Sequence, residues 1–229
     1  MKKGFIIAID GPLASGKGTI AKKLAHLLHG IDLYTGAMYR CVALFCMSNG
    51  ISLQNTTEVI AQLPRIKIVY KKERILLNNV DVTETIQDGA IAEGASMVGV
   101  IPQVRHELLQ RQQEFGREEM AQGKIVVVEG RDIGTAVFPD AAFKIYLTAS
   151  EFVRAKRRLV QYQNHGEESV LEEVREQIRI RDKRDSEREV DPLTTDPKKQ
   201  GYFVLDNSDK TEEETLDALL TELKRRNLI

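Results

Sequence analysis

Cysteine is scarce in this chain. Only Cys41 and Cys46 occur in 229 residues. A disulfide framework is thereby excluded, and five positions apart in a stretch that reads as helix the two thiols point to different faces. They match neither a C-x-x-C redox pair nor a metal quartet, and they suit a reducing compartment, the cytoplasm. An excess of one charge is also missing: 33 basic side chains face 34 acidic ones, for a net charge of −1. That balance argues against a protein that coats nucleic acid or an anionic membrane, but it leaves room for a pocket with local positive charge. No apolar run approaches the roughly 20 residues needed to cross a bilayer. At the start, "MKKGFIIAID", Asp10 ends the apolar run too early for a signal peptide. Internal repeats, low-complexity tracts and long linkers are absent as well. With 42% apolar side chains, a chain of this size can bury about 70% of its unfolded surface around one core.

Short apolar runs alternate with longer amphipathic ones, which predicts a parallel sheet covered by helices. The buried strands read as Phe5 to Asp10, Ile31 to Leu33, Ile125 to Glu129, Phe143 to Leu147 and Tyr202 to Asp206. Gly30 reads as the C-cap of the first helix, and "TASE" (148–151), "SVLE" (169–172) and "TEEE" (211–214) read as capping boxes. Residues 66–84 alternate at period two with polar breaks near Lys71–Glu73 and Asn78–Asn79, which predicts a small antiparallel meander set into the α/β frame. A polar loop at 163–168, "NHGEES", separates two arginine-rich segments and reads as a lid tip.

The stretch "IAIDGPLASGKGTIAKKL" (6–23) holds most of a phosphate-binding pattern. Gly11, Gly16 and Lys17 fit G-x-x-x-x-G-K, but position 18 is glycine and the hydroxyl arrives one residue late, at Thr19. A buried strand enters the loop (Gly11, Pro12, Leu13, Ala14, Ser15, Gly16) and a helix leaves it, the context that such a site needs. Backbone N–H groups of residues 13 to 19 then converge on phosphate oxygens at a helix N-terminus, and Lys17 reaches the outer phosphates. Gly18 has no hydroxyl to ligate magnesium. Thr19 is better placed for an inner phosphate, which leaves the metal to ATP oxygens and water. G-K-G-T is the spelling of nucleoside monophosphate kinases such as adenylate kinase, which this loop resembles.

Four further stretches extend that resemblance: "TGAMYR" (35–40), "VRHELLQRQQEF" (104–115), "EGRDIGTAVFPDA" (129–141) and "IRIRDKRDSER" (178–188). Together with the phosphate loop they look like the bacterial cytidylate kinase family, from the loop to about residue 206. The resemblance implies an α/β P-loop kinase fold over residues 1–229, with a five-stranded parallel sheet ordered 2-3-1-4-5. It also implies a monophosphate-binding region at 36–121 containing the β meander of 66–84, and a lid with arginine-rich helices at 154–190. The implied reaction is ATP plus CMP or dCMP to ADP plus CDP or dCDP, by direct in-line transfer. Mg²⁺ would arrive with ATP and not on a dedicated protein site. The implied protein is a cytoplasmic monomer with small-molecule substrates and neither nucleic acid nor membrane as partner.

The chemistry of two anionic nucleotides meeting end to end asks for cations from several directions. Arg40 and Arg131 each follow a strand C-terminus, where ligands bind in such sheets. Between 151 and 189 eight arginines and two lysines balance ten acids, so composition alone there describes a solvated, salt-bridged helix pair. Arg181, Asp185 and Arg188 nevertheless lie on one helix face at i, i+4 and i+7. By resemblance Thr35, Arg40, Arg131 and Arg188 contact the CMP phosphate, while Arg181 and Asp185 hold the sugar hydroxyls. Arg157 or Arg158, near Arg154, closes over ATP. Cytosine offers an amino donor beside two acceptors, which suits a carboxylate paired with a guanidinium; Asp132, Arg105 and Ser96 align with that task. Two residues depart from the family spelling, Tyr34 before "TG" and Glu129 at the end of the third strand, where Asp is usual. The four histidines (His26, His29, His106, His165) show no convergent arrangement. A kinase for another monophosphate such as UMP is the nearest alternative. A nucleotide-switched regulator is a more distant one, which the absence of an N-K-x-D motif disfavours.

Overall fold

The computed structural model describes residues 4–71, 74–164, 166 and 168–229. The Lys72–Glu73 break and, in the expected lid tip, His165 and Glu167 lie outside the described residues. The chain begins with β1 (Phe5–Asp10), α1 (Lys17–Leu27), β2 (Ile31–Tyr34), α2 (Thr35–Ser48) and α3 (Thr56–Gln62). Next come β3 (Ile68–Lys71), β4 (Arg74–Leu77), β5 (Val80–Asp81), α4 (Gly89–Val98) and α5 (Pro102–Ala121). The remainder is β6 (Ile125–Gly130), β7 (Phe143–Thr148), α6 (Glu151–Asn164), α7 (Leu171–Glu187), β8 (Phe203–Asp206) and α8 (Glu212–Arg225). Two units divide the chain: one comprises Met1–Tyr34, Gln112–Glu187 and Asp191–Ile229, the other Thr35–Arg111 and Arg188–Val190.

The first unit is built on a five-stranded parallel sheet in the order β2-β6-β1-β7-β8. Counting only these strands along the chain, that is the 2-3-1-4-5 order implied by the resemblance. Ile7 and Ile9 share a core with Phe143, Ile145 and Leu147 and with α1 and α8, through Ile20, Leu24, Leu216, Leu219 and Leu223. Ile6, Ala8, Val126 and Val128, which point the other way by the period of a strand, are buried too. Burial on both faces is why these strands read as unbroken apolar runs. Asp10 pairs in register with Gly130 and with Tyr146, so the C-terminal ends of β1, β6 and β7 come level where the site is built.

Local punctuation departs from expectation at three places. α1 ends with Gly30 N–H donating to Ala25 O (2.8 Å) and His29 N–H to His26 O (3.1 Å), the Schellman pattern. The left-handed residue is His29 (φ 52), not Gly30. Glycine is needed at 30 for another reason, because a Cβ there would lie 2.3 Å from Ile125 O. The Thr211–Glu214 capping box forms as expected, but the other two do not. Thr148 is still paired in β7, and Ser150 receives the Val153 N–H (3.4 Å) at the head of α6. α7 begins at Leu171, one residue too late for Ser169 to cap it.

In the second unit, β3, β4 and β5 form the expected antiparallel meander, with Lys71 opposite Arg74 and Leu77 opposite Val80. α2 and α4 pack closely at Gly94, where a Cβ would sit 2.8 Å from Leu53 Cδ1 and 3.1 Å from Ala43 Cβ. The Asp88 carboxylate caps α4 by accepting from Ala90 and Ile91 N–H.

Candidate active site

The phosphate loop follows directly from β1. Gly11 has φ 151, and a Cβ there would lie 2.0 Å from Leu147 O at the end of β7, so only glycine fits that passage. Gly16 (φ 90) opens α1 with no side-chain cap and no acid in the first turn. Uncapped N–H groups and the positive end of the helix therefore face an incoming anion. One expected donor is already committed, since Leu13 N–H donates to Asp182 Oδ1 (3.1 Å). Lys17 is buried, and its ammonium donates to Pro12 O (2.7 Å) and Ser15 Oγ (3.3 Å). Burial and the Arg131 charge push Lys17 down to about 7 against the pull of Glu129, Asp10 and Asp185. Gly18 and Thr19 are exposed on the first turn of α1.

β6 delivers Glu129, Gly130, Arg131 and Asp132. Arg131 Nε donates to Asp185 Oδ2 (2.8 Å), and one of its terminal nitrogens donates to Gly130 O (3.2 Å). Burial opposes the guanidinium charge, but Asp185 and Glu129 more than offset it, so Arg131 is held above its ordinary value. Asp132 is buried with a non-helical backbone (φ −142, ψ 23) and precedes a single wide helical turn, Ile133–Val137. The structure thus pairs two residues expected to grip different parts of CMP, Arg131 and Asp185, with each other.

α6 and α7 bring further charges to the loop. Arg154 is buried; its Nη1 donates to Asp182 Oδ2 (2.6 Å) and to Leu13 O (2.9 Å), and its Nε to Ala149 O (3.1 Å). The Leu13 peptide is therefore held at both ends by one ion pair. Leu13 and Ala14 also pack on the small apolar cluster of Ala155, Val174 and Ile178 between these helices. Arg157 lies against the loop, donating to Ser15 O (3.4 Å), Asn207 Oδ1 (3.0 Å) and Asn207 O (2.9 Å). Arg158 instead donates to Gln161 and Tyr162, with its guanidinium 4.4 Å from the Tyr162 ring centroid. Of these two arginines, Arg157 is the one that touches the phosphate loop here. Arg181 lies on α7, four residues before the buried Asp185.

The other expected CMP residues belong to the second unit. Thr35 is buried as the first residue of α2, and Arg40 on the same helix donates to Ile86 O (2.5 Å) and Gln87 Oε1 (3.3 Å). Ser96 is buried on α4. Arg105, 2% exposed on α5, donates to Gly99 O (3.3 Å) with its guanidinium 5.9 Å from the Tyr39 ring centroid. Arg188 follows the end of α7.

Sequence reasoning missed Asp10, Tyr202, Arg154, Asp182 and Asn207. Asp10 signalled itself only as a charge closing an apolar strand just before the glycine turn. Arg154 and Asp182 carry no local signal, being 28 positions apart. Among the described residues no three His, Cys, Asp or Glu side chains gather as a metal site. The space beside Gly18 opens toward a carboxylate, since a Cβ built there would stand 4.0 Å from Glu129 Oε1. Among the described residues no helix is long and apolar enough to cross a membrane.

Comparison with known proteins places this geometry. The family model of cytidylate kinase matches residues 7–225. A cytidylate kinase of Caldanaerobacter subterraneus is 42% identical over 219 residues, covering 96% of this chain and 94% of the relative. One of Thermotoga maritima is 41% identical over 224 residues, covering 97% and 98%. Among solved structures, an uncharacterized protein from Eubacterium ventriosum (TM-score 0.55, 11% identity, covering 96% and 98%) and a gluconokinase from Sinorhizobium meliloti (TM-score 0.51, 14% identity, covering 98% and 94%) share the fold. With its glycine-lined phosphate loop, its 2-3-1-4-5 sheet and a match across nearly its whole length, the chain belongs to the cytidylate kinase family.

Proposed function

We propose that this protein transfers the γ-phosphoryl group of ATP to CMP or dCMP, yielding ADP and CDP or dCDP, as a cytoplasmic monomer. The observation that carries the reading is the family match over residues 7–225, joined to a phosphate loop whose lysine lies in the same charged cluster as Arg131 and Asp185. In this reading the N–H groups of residues 14 to 19 bind ATP phosphates, Lys17 follows the charge on the moving phosphoryl group, and Arg157 closes on the loop from α6. Phosphoryl transfer asks little covalent work of the protein, so positioning and charge carry the catalysis. Magnesium bound to ATP would neutralise phosphate charge, with Glu129 and Thr19 as the nearby groups able to reach its water or the phosphates. The second unit, with Thr35, Arg40, Ser96, Arg105 and Arg188, is the monophosphate-binding region. In the first unit, Arg131, Asp132, Arg181 and Asp185 are the residues that this reading assigns to CMP.

Cytosine selection falls to Asp132. Its carboxylate accepts the N4 amino hydrogen, whereas UMP would turn a carbonyl lone pair toward it. Burial of Asp132 favours strong discrimination, up to roughly 10⁴ when a built hydrogen bond is lost. The test is kcat/KM for CMP and UMP in the parent and in Asp132→Asn. The reading expects a large CMP preference that narrows in the variant, because an amide can offer its NH₂ to O4. Equal use of CMP and UMP by the parent would contradict it.

A further inference from the structure

Asp10 is wholly buried, and its carboxylate accepts three hydrogen bonds. Oδ1 accepts from Ile133 N–H (2.8 Å), and Oδ2 accepts from Gly134 N–H (2.8 Å) and from the Tyr202 hydroxyl (2.7 Å). Its charge is felt at the buried Lys17, yet burial pushes Asp10 up to about 6 although all three donors work against that rise. Holding a carboxylate in such a place is costly. The turn it holds is tightly fixed from several sides. Ala136 N–H donates to Asp132 O (2.8 Å), Phe138 N–H to Ile133 O (2.6 Å), and the Gln113 amide from α5 to Val137 O (2.9 Å). Gly134 has no room for a side chain, because a Cβ would lie 2.7 Å from Tyr202 Oη. The Tyr202 ring is itself set edge-on against Tyr146 at 6.0 Å.

The residues immediately before these anchored N–H groups are Arg131 and Asp132. We propose that Asp10 is a positioning residue for the monophosphate: through Ile133, Gly134 and Tyr202 it fixes the turn from which Arg131 and Asp132 reach CMP. This inference rests on the CMP-kinase reading above. The backbone of the phosphate loop is held independently of Asp10, although the Asp10 charge is felt at Lys17. It has its own anchors, Asp182 and Arg154 on the Leu13 peptide and Asn207 and Arg157 on Ser15 O. A general loss of packing would disturb both substrates, while a displaced turn disturbs one.

The experiment compares Asp10→Asn and Tyr202→Phe with the parent in steady-state assays, varying ATP and CMP separately and replacing CMP by UMP. An asparagine keeps the size but presents an NH₂ where one acceptor stood, so one of the two backbone bonds is lost. A misplacement near 1 Å costs about 100-fold. Asp10→Asn should therefore raise the KM for CMP by about 10- to 100-fold and shrink the CMP-over-UMP ratio by about tenfold, while the KM for ATP, which feels only the Asp10 charge lost beside Lys17, rises by no more than about threefold. Tyr202→Phe leaves both backbone bonds and should move the same quantities in the same direction by less, about two- to fivefold. Amide exchange at Ile133 and Gly134 supplies a readout that needs no substrate, and Asp10→Asn should deprotect at least one of them. Unchanged CMP parameters in a folded Asp10→Asn, ATP and CMP constants rising together, or unchanged protection of both amides would each overturn the proposal. Should Asp10→Asn not fold, Tyr202→Phe decides alone: a rise confined to CMP supports the proposal, and an unmoved KM for CMP rejects it. A parent that does not phosphorylate CMP would refute the CMP-kinase reading instead, and the parent assay reveals that before any variant is compared.

Discussion

Removing the guanidinium that grips the Leu13 peptide should destabilise the fold and weaken ATP binding together. Arg154→Met keeps the apolar stem but deletes the donors to Asp182 Oδ2, Leu13 O and Ala149 O. The side chains of the pair are 9% and 23% exposed for Arg154 and Asp182. Breaking a fully buried pair on one side costs about 3–5 kcal/mol, because the survivor's charge is left uncompensated. Asp182 retains some contact with water and still accepts from Leu13 N–H, so the low end, about 3 kcal/mol, is the expectation. For a protein of this size that lowers Tm by about 6–12 °C, at about 2–4 °C per kcal/mol. Asp182→Asn, which relieves the orphaned charge, should restore part of the loss when combined with Arg154→Met. The double-mutant cycle should show a coupling of about 1–3 kcal/mol. Thermal melts of the four proteins, with KM for ATP measured in parallel, make the test. Additivity within about 0.5 kcal/mol, or a Tm loss with no change toward ATP, would refute the claim that this ion pair holds the phosphate loop.

Lys17→Ala should fold normally and lower turnover by about 100-fold or more, because its charge acts mainly as the phosphoryl group moves; full activity in a folded variant would remove the loop from the mechanism. ATP binding should take up protons above neutral pH. Lys17 in the free protein is held at about 7, so at pH 8 it is mostly neutral, and an arriving triphosphate restores its charge. Calorimetry in buffers of different ionisation enthalpy should find close to one proton taken up at pH 8 and almost none at pH 6, with ATP affinity falling as pH rises between them. Zero uptake at pH 8 would contradict the buried, neutral lysine. Thr19→Ala should weaken ATP binding while leaving the magnesium requirement similar; a Thr19 hydroxyl directly on magnesium at about 2.1 Å in a complex would refute the argument from spacing. Gly11→Ala should lose several kcal/mol, combining backbone strain of about 1–3 kcal/mol with the 2.0 Å contact on Leu147 O, and a melt within about 2 °C of the parent would contradict it.

The sheet was legible because its central strands are buried on both faces, which leaves unbroken apolar runs such as Phe5–Ile9 between polar punctuation. The phosphate loop was legible because glycine, lysine and strand-to-helix context all lie within a dozen residues. Helix starts were less so. "TASE" has the spelling of a cap, yet Thr148 is drawn into the sheet by Asp206, and pairing with a neighbouring strand overrides a local signal. At Gly30 the sequence pointed to the right residue for the wrong reason, since Ile125 and not a left-handed turn excludes a side chain. The least legible parts are contacts made across the chain. Asp10 meets its three donors at separations of 123 to 192 residues, and Asp182 reaches Leu13 across 169. Nothing in the spelling of either segment announces the other. The different surroundings of Arg157 and Arg158 were likewise hidden from the sequence, since one meets Asn207 and Ser15 O and the other Gln161 and Tyr162.

Phosphoryl transfer from ATP to CMP is the activity on which everything above depends. Its most direct measurement is ADP release with each common nucleoside monophosphate in turn, at saturating Mg-ATP, with the nucleotide products separated and identified. ATP alone should turn over slowly, CMP and dCMP should drive rapid turnover with equimolar CDP or dCDP, and UMP, AMP and GMP should be far slower. ATP turnover indifferent to CMP, or a different monophosphate converted faster than both cytidine nucleotides, would contradict it.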